Sequence, residues 1–213
     1  MRFLSFIFLL ATITVRSQNM TKVISESYSS GKPKVIRYFD TPVDAKDSIK
    51  IYNLIGTRYL NIPVSFMVYG YYEDGKVQYK GQYKKGFAEG LWETFYETGI
   101  MNSRSYYKNG LLCDSLKCWY SSGMVSRLVV EVDSSKRLWH NIDYYEAGNK
   151  RMECFQIQLP EKIIAQGSYK EWHENKQLGF EAEVKDGKTV GKWRVWDENG
   201  KLIKESEESI ELN

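Results

Sequence analysis

Four glutamates are the residues of this chain that best suit catalysis. They are Glu93, Glu97, Glu171 and Glu174, which could act as paired acids. Two carboxyl groups on either side of a glycosidic bond hydrolyse it, one as general acid and the other as base or nucleophile. All four lie at repeat-equivalent or turn-flanking positions, where a charge that keeps a strand face soluble is the simpler interpretation. We therefore predict no catalytic residue, and glycan binding or hydrolysis is kept as the alternative function.

Histidine and cysteine give no metal-ligand pattern. His140 and His173 each follow a tryptophan and have no partner at the spacing of metal ligands. The cysteines are Cys113, Cys118 and Cys154, so at least one is unpaired or bridges to another chain. Cys113 and Cys118 would face opposite sides of a straight strand, which favours a role as small apolar fillers. We predict neither a metal nor a cofactor.

The first residues resemble an export signal. Arg2 precedes an apolar run from Phe3 to Val15 that is too short to span a bilayer, and Val15 and Ser17 suit a cleavage site. Residues 1–17 are therefore predicted to be a signal peptide, which places the protein in the periplasm or outside the cell. Its removal leaves 28 basic against 27 acidic residues. A nearly neutral chain without a basic stripe is a poor partner for nucleic acid.

An aromatic residue recurs four positions before a turn, at intervals of 24 to 28 residues. Such a periodicity is typical of a repeat array. Five copies end in a turn glycine, and the fifth copy in chain order has Lys176 instead. The aromatic residues are Tyr71, Phe95, Trp119, Tyr144, Trp172 and Trp196, and the glycines are Gly75, Gly99, Gly123, Gly148 and Gly200. We expect this aromatic column to form the stacked core.

Each repeat has a second half, which is clearest where two glycines four apart precede a tryptophan. This pattern occurs at Gly86, Gly90 and Trp92 and again at Gly187, Gly191 and Trp193, with a degenerate form from Gly110. We expect these glycine pairs to mark a loose bend. Tight reversals with positive φ are expected at Asp74-Gly75, Asn109-Gly110, Asp186-Gly187 and Asn199-Gly200.

The repeat predicts an all-β fold, an elongated antiparallel meander of repeated β-hairpins over residues 66–204. Segments between the bends are short and rich in aromatic and β-branched residues, which favours strands. Residues 18–65 are predicted to cap the array with a degenerate hairpin, followed after Thr41-Pro42 by either a short helix or an irregular insertion. Residues 205–213 are expected to form a mobile acidic tail.

The segment from Gly81 to Gly99 resembles the bacterial variant of the MORN (membrane occupation and recognition nexus) repeat, and so does the segment from Asp186 to Gly200. The resemblance extends over about residues 66–204, although the copies at Tyr144 and Trp172 lack the second glycine motif. It implies a YwqK-type protein, a group labelled as the antitoxin side of toxin–antitoxin pairs.

We predict a non-catalytic module that binds a protein partner or acts as a scaffold. A second column, interleaved with lysine and glutamate, would supply the binding surface because tyrosine offers contact area and a hydroxyl at small entropic cost. Its members are Tyr72, Tyr96, Tyr120 and Tyr145. Association with a membrane surface is a third hypothesis, which near-neutral charge disfavours. The partner and the oligomeric state stay open.

Overall fold

The computed structural model describes residues 20–40, 65–159 and 162–212. Its regular elements in these ranges are all β-strands, so the all-β prediction is confirmed. The described strands are β1 (Thr21–Ser27), β2 (Pro33–Phe39), β3 (Phe66–Tyr71), β4 (Val77–Lys84), β5 (Phe87–Phe95), β6 (Met101–Lys108), β7 (Leu111–Trp119), β8 (Val125–Asp133), β9 (Leu138–Tyr144), β10 (Lys150–Gln158), β11 (Ile163–Trp172), β12 (Leu178–Lys185), β13 (Lys188–Trp196) and β14 (Leu202–Ser206).

The strands form one antiparallel sheet in chain order, from β1 to β14. Each strand therefore pairs with the strands before and after it in sequence, as a meander of hairpins requires, and the predicted topology is confirmed. β1 and β2 are the predicted N-terminal hairpin. The signal peptide and the segment with the candidate helix lie outside the described residues. In the ranges described, no helix has the length and apolar character to cross a bilayer.

Two kinds of turn alternate along the two margins of the sheet. At one margin, pairs such as Asn109-Gly110 and Asp186-Gly187 have positive φ at both residues and close two-residue hairpins. At the other margin the turn is longer, and Gly75 but not Asp74 has positive φ.

The expected assignment of tight and loose bends is therefore wrong in part. The longer turns contain Asp74-Gly75 and Asn199-Gly200, whereas Gly86 belongs to a two-residue reversal with Lys85. Gly90 and Gly191 lie inside β5 and β13, each at a shift in strand register. A glycine there accommodates the positive φ of a β-bulge, which sequence spacing does not distinguish from a turn.

Alternation along the strands gives the sheet two unlike faces. The packed face carries the buried Phe66, Val68 and Trp193. The charged face carries Glu93 and Arg194, which lie opposite Lys80 and Glu181 in the strand register. Two clusters of buried apolar residues lie on the packed face, one around Phe39 and Phe66 and the other around Trp193.

The six repeated aromatic residues each end an odd-numbered strand, from β3 to β13. This confirms that the repeat register marks equivalent positions. They are half-buried rather than buried, and Lys80 and Lys117 lie over the rings of Phe95 and Trp119 on the charged face. The expectation of a stacked core column is therefore wrong, because none of the six residues belongs to either of the two buried apolar clusters of the described chain.

The C-terminal tail packs against the sheet. Residues 205 and 206 belong to β14, and the chain then runs beside β13, where the Thr189 amide donates to the Ile210 carbonyl at 2.9 Å. Ile210 and Leu212 pack on the cluster that contains Trp193. The expectation of a mobile tail is not met, because these apolar residues alternate with the acids and cover the last repeat.

Candidate partner-binding face

The four predicted binding tyrosines donate hydrogen bonds from one repeat to the next. In each bond a tyrosine hydroxyl donates to the carbonyl of the aromatic residue that ends a strand in the following repeat. The four bonds are Tyr72 to Phe95 at 2.8 Å, Tyr96 to Trp119 at 2.7 Å, Tyr120 to Tyr144 at 2.6 Å and Tyr145 to Trp172 at 2.8 Å.

The same arrangement continues at both ends of the array. Tyr28 donates to the Tyr71 carbonyl at 2.7 Å, and the ring Nε2 of His173 lies 2.8 Å from the Trp196 carbonyl. Because a carbonyl only accepts, Nε2 carries the hydrogen in this contact. Together these six bonds form what we call the tyrosine ladder. It joins the first described hairpin to the last repeat along one margin of the packed face.

Each ladder residue is also fixed by its own turn. The backbone amide of Tyr96 donates to the Ile100 carbonyl, and the Tyr96 carbonyl accepts from the Gly99 amide, both at 2.8 Å. Positive φ at Gly99 closes this turn, a conformation that glycine adopts without strain. In the fifth copy Lys176 takes the same conformation, with a φ of 74°. The turn and the hydroxyl bond together hold each ring in one orientation.

The hydrogen bonds of the tyrosine ladder limit which parts of these side chains are available to bind a partner. The rings of Tyr72, Tyr96, Tyr120 and Tyr145 are half-buried, so part of each ring is open to contact. Their hydroxyls are engaged within the chain, which the sequence pattern does not reveal. Binding through these tyrosines stays a prediction, and it would use ring surface rather than new hydroxyl bonds.

The glutamates considered for catalysis do not converge. Glu93 is in β5 on the charged face, whereas Glu171 is in β11 on the packed face, opposite the half-buried Phe180. Glu93 is only 5% exposed and lies between two cations, with Lys80 Nζ and Arg104 Nη2 each 2.7 Å from its carboxylate oxygens. Glu97 and Glu174 are at turn tips, where the Glu97 carbonyl accepts from Lys76. The observed role of Glu93 is thus structural, as the shared acid of two ion pairs.

Acidification is expected to weaken the fold through Glu93. The ammonium of Lys80, and then Arg104, lower the pKa of this carboxyl below its ordinary 4.5, although burial opposes them. A lowered pKa in the folded state contributes stability above pH 4.5 and loses it as the pH falls through the folded value. Glu93→Gln should cost about 1–2 kcal/mol at pH 7. Its unfolding midpoint should then change less between pH 7 and pH 3 than that of the wild type.

Denaturant unfolding at a series of pH values measures this effect. Glu97→Gln is the matched control, because it makes the same change at an exposed turn tip. Equal pH dependence in the Glu93 variant and the wild type would contradict the assignment.

The cysteines are free and poorly suited to nucleophilic chemistry. Burial raises the pKa of Cys154 to about 11 and also raises the pKa of Cys118. A thiol with a raised pKa holds little of the reactive thiolate at neutral pH. Within the described parts of the chain, histidine, cysteine and acidic side chains form no group of three or more that could hold a metal ion.

The fold and this face define a class: an open antiparallel sheet of repeated hairpins joined turn to turn. A family model described as the MORN repeat variant matches residues 68–85, 88–109 and 189–207. These three segments of the chain therefore match MORN-type repeats, which supports that part of the resemblance over these residues. The matches include Gly90 with Trp92 and Gly191 with Trp193, whereas Gly86 and Gly187 lie just outside them. No curated protein matches the chain.

Proposed function

We propose that the chain is an exported, non-catalytic module that binds a protein partner through the margin of the packed face. The observation that carries this proposal is the tyrosine ladder, which holds a row of half-exposed rings in fixed orientations. Aromatic side chains that are already ordered lose little conformational entropy on binding, and tyrosine is enriched in interfaces. MORN repeats are generally non-catalytic, which supports the same assignment.

The spacing of the ladder indicates the form of the partner segment. Consecutive tyrosines lie two strands apart, which corresponds to about 10 Å from the usual separation of neighbouring strands. An extended segment of a partner that crosses the strands would meet one ring in each repeat. The predicted signal peptide places this partner in the periplasm or outside the cell, and the YwqK-type resemblance makes a toxin one candidate.

A pair of double variants separates the rings from their hydroxyls. Tyr96→Ala with Tyr120→Ala should reduce partner recovery from an exported fraction at least tenfold, because both rings are lost. Tyr96→Phe with Tyr120→Phe keeps both rings but removes two ladder bonds, so recovery should fall by no more than about threefold, because the contact area stays and only the fixed orientation of the two rings is weakened. Quantitative pull-down followed by mass spectrometry measures both ratios.

Controls distinguish binding from folding. Val130→Ser changes an exposed residue that pairs with His140 on the charged face, and recovery should stay at the wild-type level. Circular dichroism verifies that every variant keeps its strand content. Undiminished recovery by a folded alanine double variant would exclude the proposed surface.

A further inference from the structure

A cavity of about 540 Å³ opens at the C-terminal end of the tyrosine ladder. Its walls include Tyr145 and His173 of the ladder, and Glu171, Phe180 and Val195, which lie opposite one another on β11, β12 and β13. The turn that follows β13 begins with Asp197 where the earlier repeats have an aromatic residue. The ladder ends at this cavity.

The lining is acidic and aromatic, and it contains neither lysine nor arginine. The acids are Glu171, Asp197 and Glu198. Among the described residues, none of these three has an ion-pair partner, whereas Glu93, Asp143, Glu153 and Glu205 each have at least two.

The lining acids have neutral donors only. Glu171 accepts from the Tyr169 hydroxyl at 2.8 Å, and Asp197 accepts from the amides of Asn199 and Lys201. Lys204 lies opposite Val195, but its ammonium lies over the Trp193 ring at 4.7 Å. Lys150 lies over the ring of Trp172, 5.7 Å from its centroid, and it pairs with Glu153 rather than with an acid of the cavity. Among the described residues, the acids of the cavity therefore lack an ion-pair partner.

The preceding repeat shows how the fold fills the equivalent place. Asp143 precedes the aromatic residue that ends β9, and Arg151, eight positions later, donates to its carboxylate at 2.7 Å. The equivalent residues in the next repeat are Glu171 and Gly179. The acid is kept and the cation is lost. The ring of His173 lies over Gly179, with Nε2 3.0 Å from where a Cβ would stand, so it forms a wall of the cavity.

We propose that this cavity receives an arginine side chain from the partner protein, at the place that Arg151 fills in the preceding repeat. This inference rests on the proposed binding function and names the chemistry of the partner at one position. A guanidinium stacks on aromatic faces and pairs with carboxylates, which are the two kinds of group that line the cavity.

A peptide titration tests the cavity without the natural partner. The probe is the blocked tripeptide acetyl-Gly-Arg-Gly-amide, and the readout is the indole N–H resonances of Trp172 and Trp196, which line the cavity. We expect both resonances to shift saturably. The citrulline tripeptide, which has nearly the same shape without the charge, should give no saturable shift.

Charge variants localise the binding. Glu171→Gln with Glu198→Gln should raise the Kd for the arginine peptide at least about fivefold. Glu174→Gln changes a nearby exposed acid that does not line the cavity, and it should leave the Kd unchanged. Equal responses to arginine and citrulline, no saturable response, or equal Kd values in the two acid variants would each overturn the proposal.

These outcomes are separate from those of the tyrosine variants. Partner recovery that depends on Tyr96 and Tyr120 but not on Glu171 and Glu198 would uphold the proposed function and overturn the arginine site. If the protein binds the arginine peptide specifically but its partner recovery does not depend on Tyr96 and Tyr120, the arginine site is upheld and the proposed tyrosine surface is overturned.

Discussion

Gly81→Ala is expected to lower the free energy of unfolding by about 2–3 kcal/mol, because the added methyl group would overpack the face. Gly81 lies on β4 beneath the Trp92 ring, and a Cβ at this position would stand 2.2 Å from Trp92 Cδ2 and 2.3 Å from Cε2. No side chain tolerates contacts this short, so the ring must move. Trp92 packs against Tyr83 and Tyr107, with ring centroids at 5.1 Å and 6.3 Å, and those contacts would be disturbed.

A double-mutant cycle identifies the cause. Gln82→Ala on the opposite face of the same strand should change stability by less than about 0.5 kcal/mol, since Gln82 is exposed. In a Trp92→Leu background, Gly81→Ala should cost less than about 1 kcal/mol, because the ring that obstructs the methyl group is gone. Chemical denaturation measures all four corners of the cycle. An alanine cost that does not depend on Trp92 would contradict the packing argument.

The hairpin order could be predicted from sequence because the signals for it are local. A glycine with positive φ marks each turn at Gly75, Gly99 and Gly123, and the aromatic residue four positions earlier ends a strand in every copy. Because the connections are short, neighbouring strands pair in chain order. Whether a given glycine lies in a turn or in a β-bulge was less predictable, because Gly86 in a turn and Gly90 in a bulge require similar backbone angles.

Burial could not be predicted from the repeat, because it depends on position within the whole sheet. Trp139 is 2% exposed although it lies outside the repeated aromatic column. Phe39 is fully buried in the degenerate N-terminal hairpin, where the repeat signal is weakest. Position within a strand does not decide burial either, because Phe39 ends β2 and is buried against Phe66, whereas Phe95 and Trp119 also end strands and are only half-buried.

The candidate site was predictable in its residues but not in its bonds. The column of Tyr72, Tyr96 and Tyr120 follows directly from the repeat. Their acceptors are backbone carbonyls in the next repeat, which no side-chain pattern reveals, so the ladder is visible only once the register is known. The acidic cavity was missed for a similar reason, since Glu171 and Asp197 meet across strands and are separated by a full repeat.

Asp143→Asn is expected to lower the free energy of unfolding by about 2–3 kcal/mol. The Asp143 carboxylate is 2% exposed and accepts from Arg127 Nε at 2.6 Å, Arg127 Nη2 at 2.9 Å and Arg151 Nη2 at 2.7 Å. The side-chain amide has nearly the same shape as the carboxylate, but its NH2 group carries two hydrogens and cannot accept a hydrogen bond from a guanidinium group. Both arginines are about half-exposed, so water compensates part of the loss and the cost stays below that of a fully buried pair.

The exposed ion pairs of the last repeat provide the comparison for Asp143. Glu205→Gln removes a carboxylate that lies 2.7 Å from Arg194 and 3.1 Å from Lys192, but its side chain is 36% exposed and solvent screens the charge. Its unfolding midpoint should stay close to that of the wild type, whereas the midpoint of the Asp143 variant should fall clearly in the same urea titration. Arg127→Met combined with Asp143→Asn should cost less than the sum of the single changes, because the two residues share one bidentate contact. Additive costs in this cycle would mean that Asp143 acts through its packing rather than through its charge.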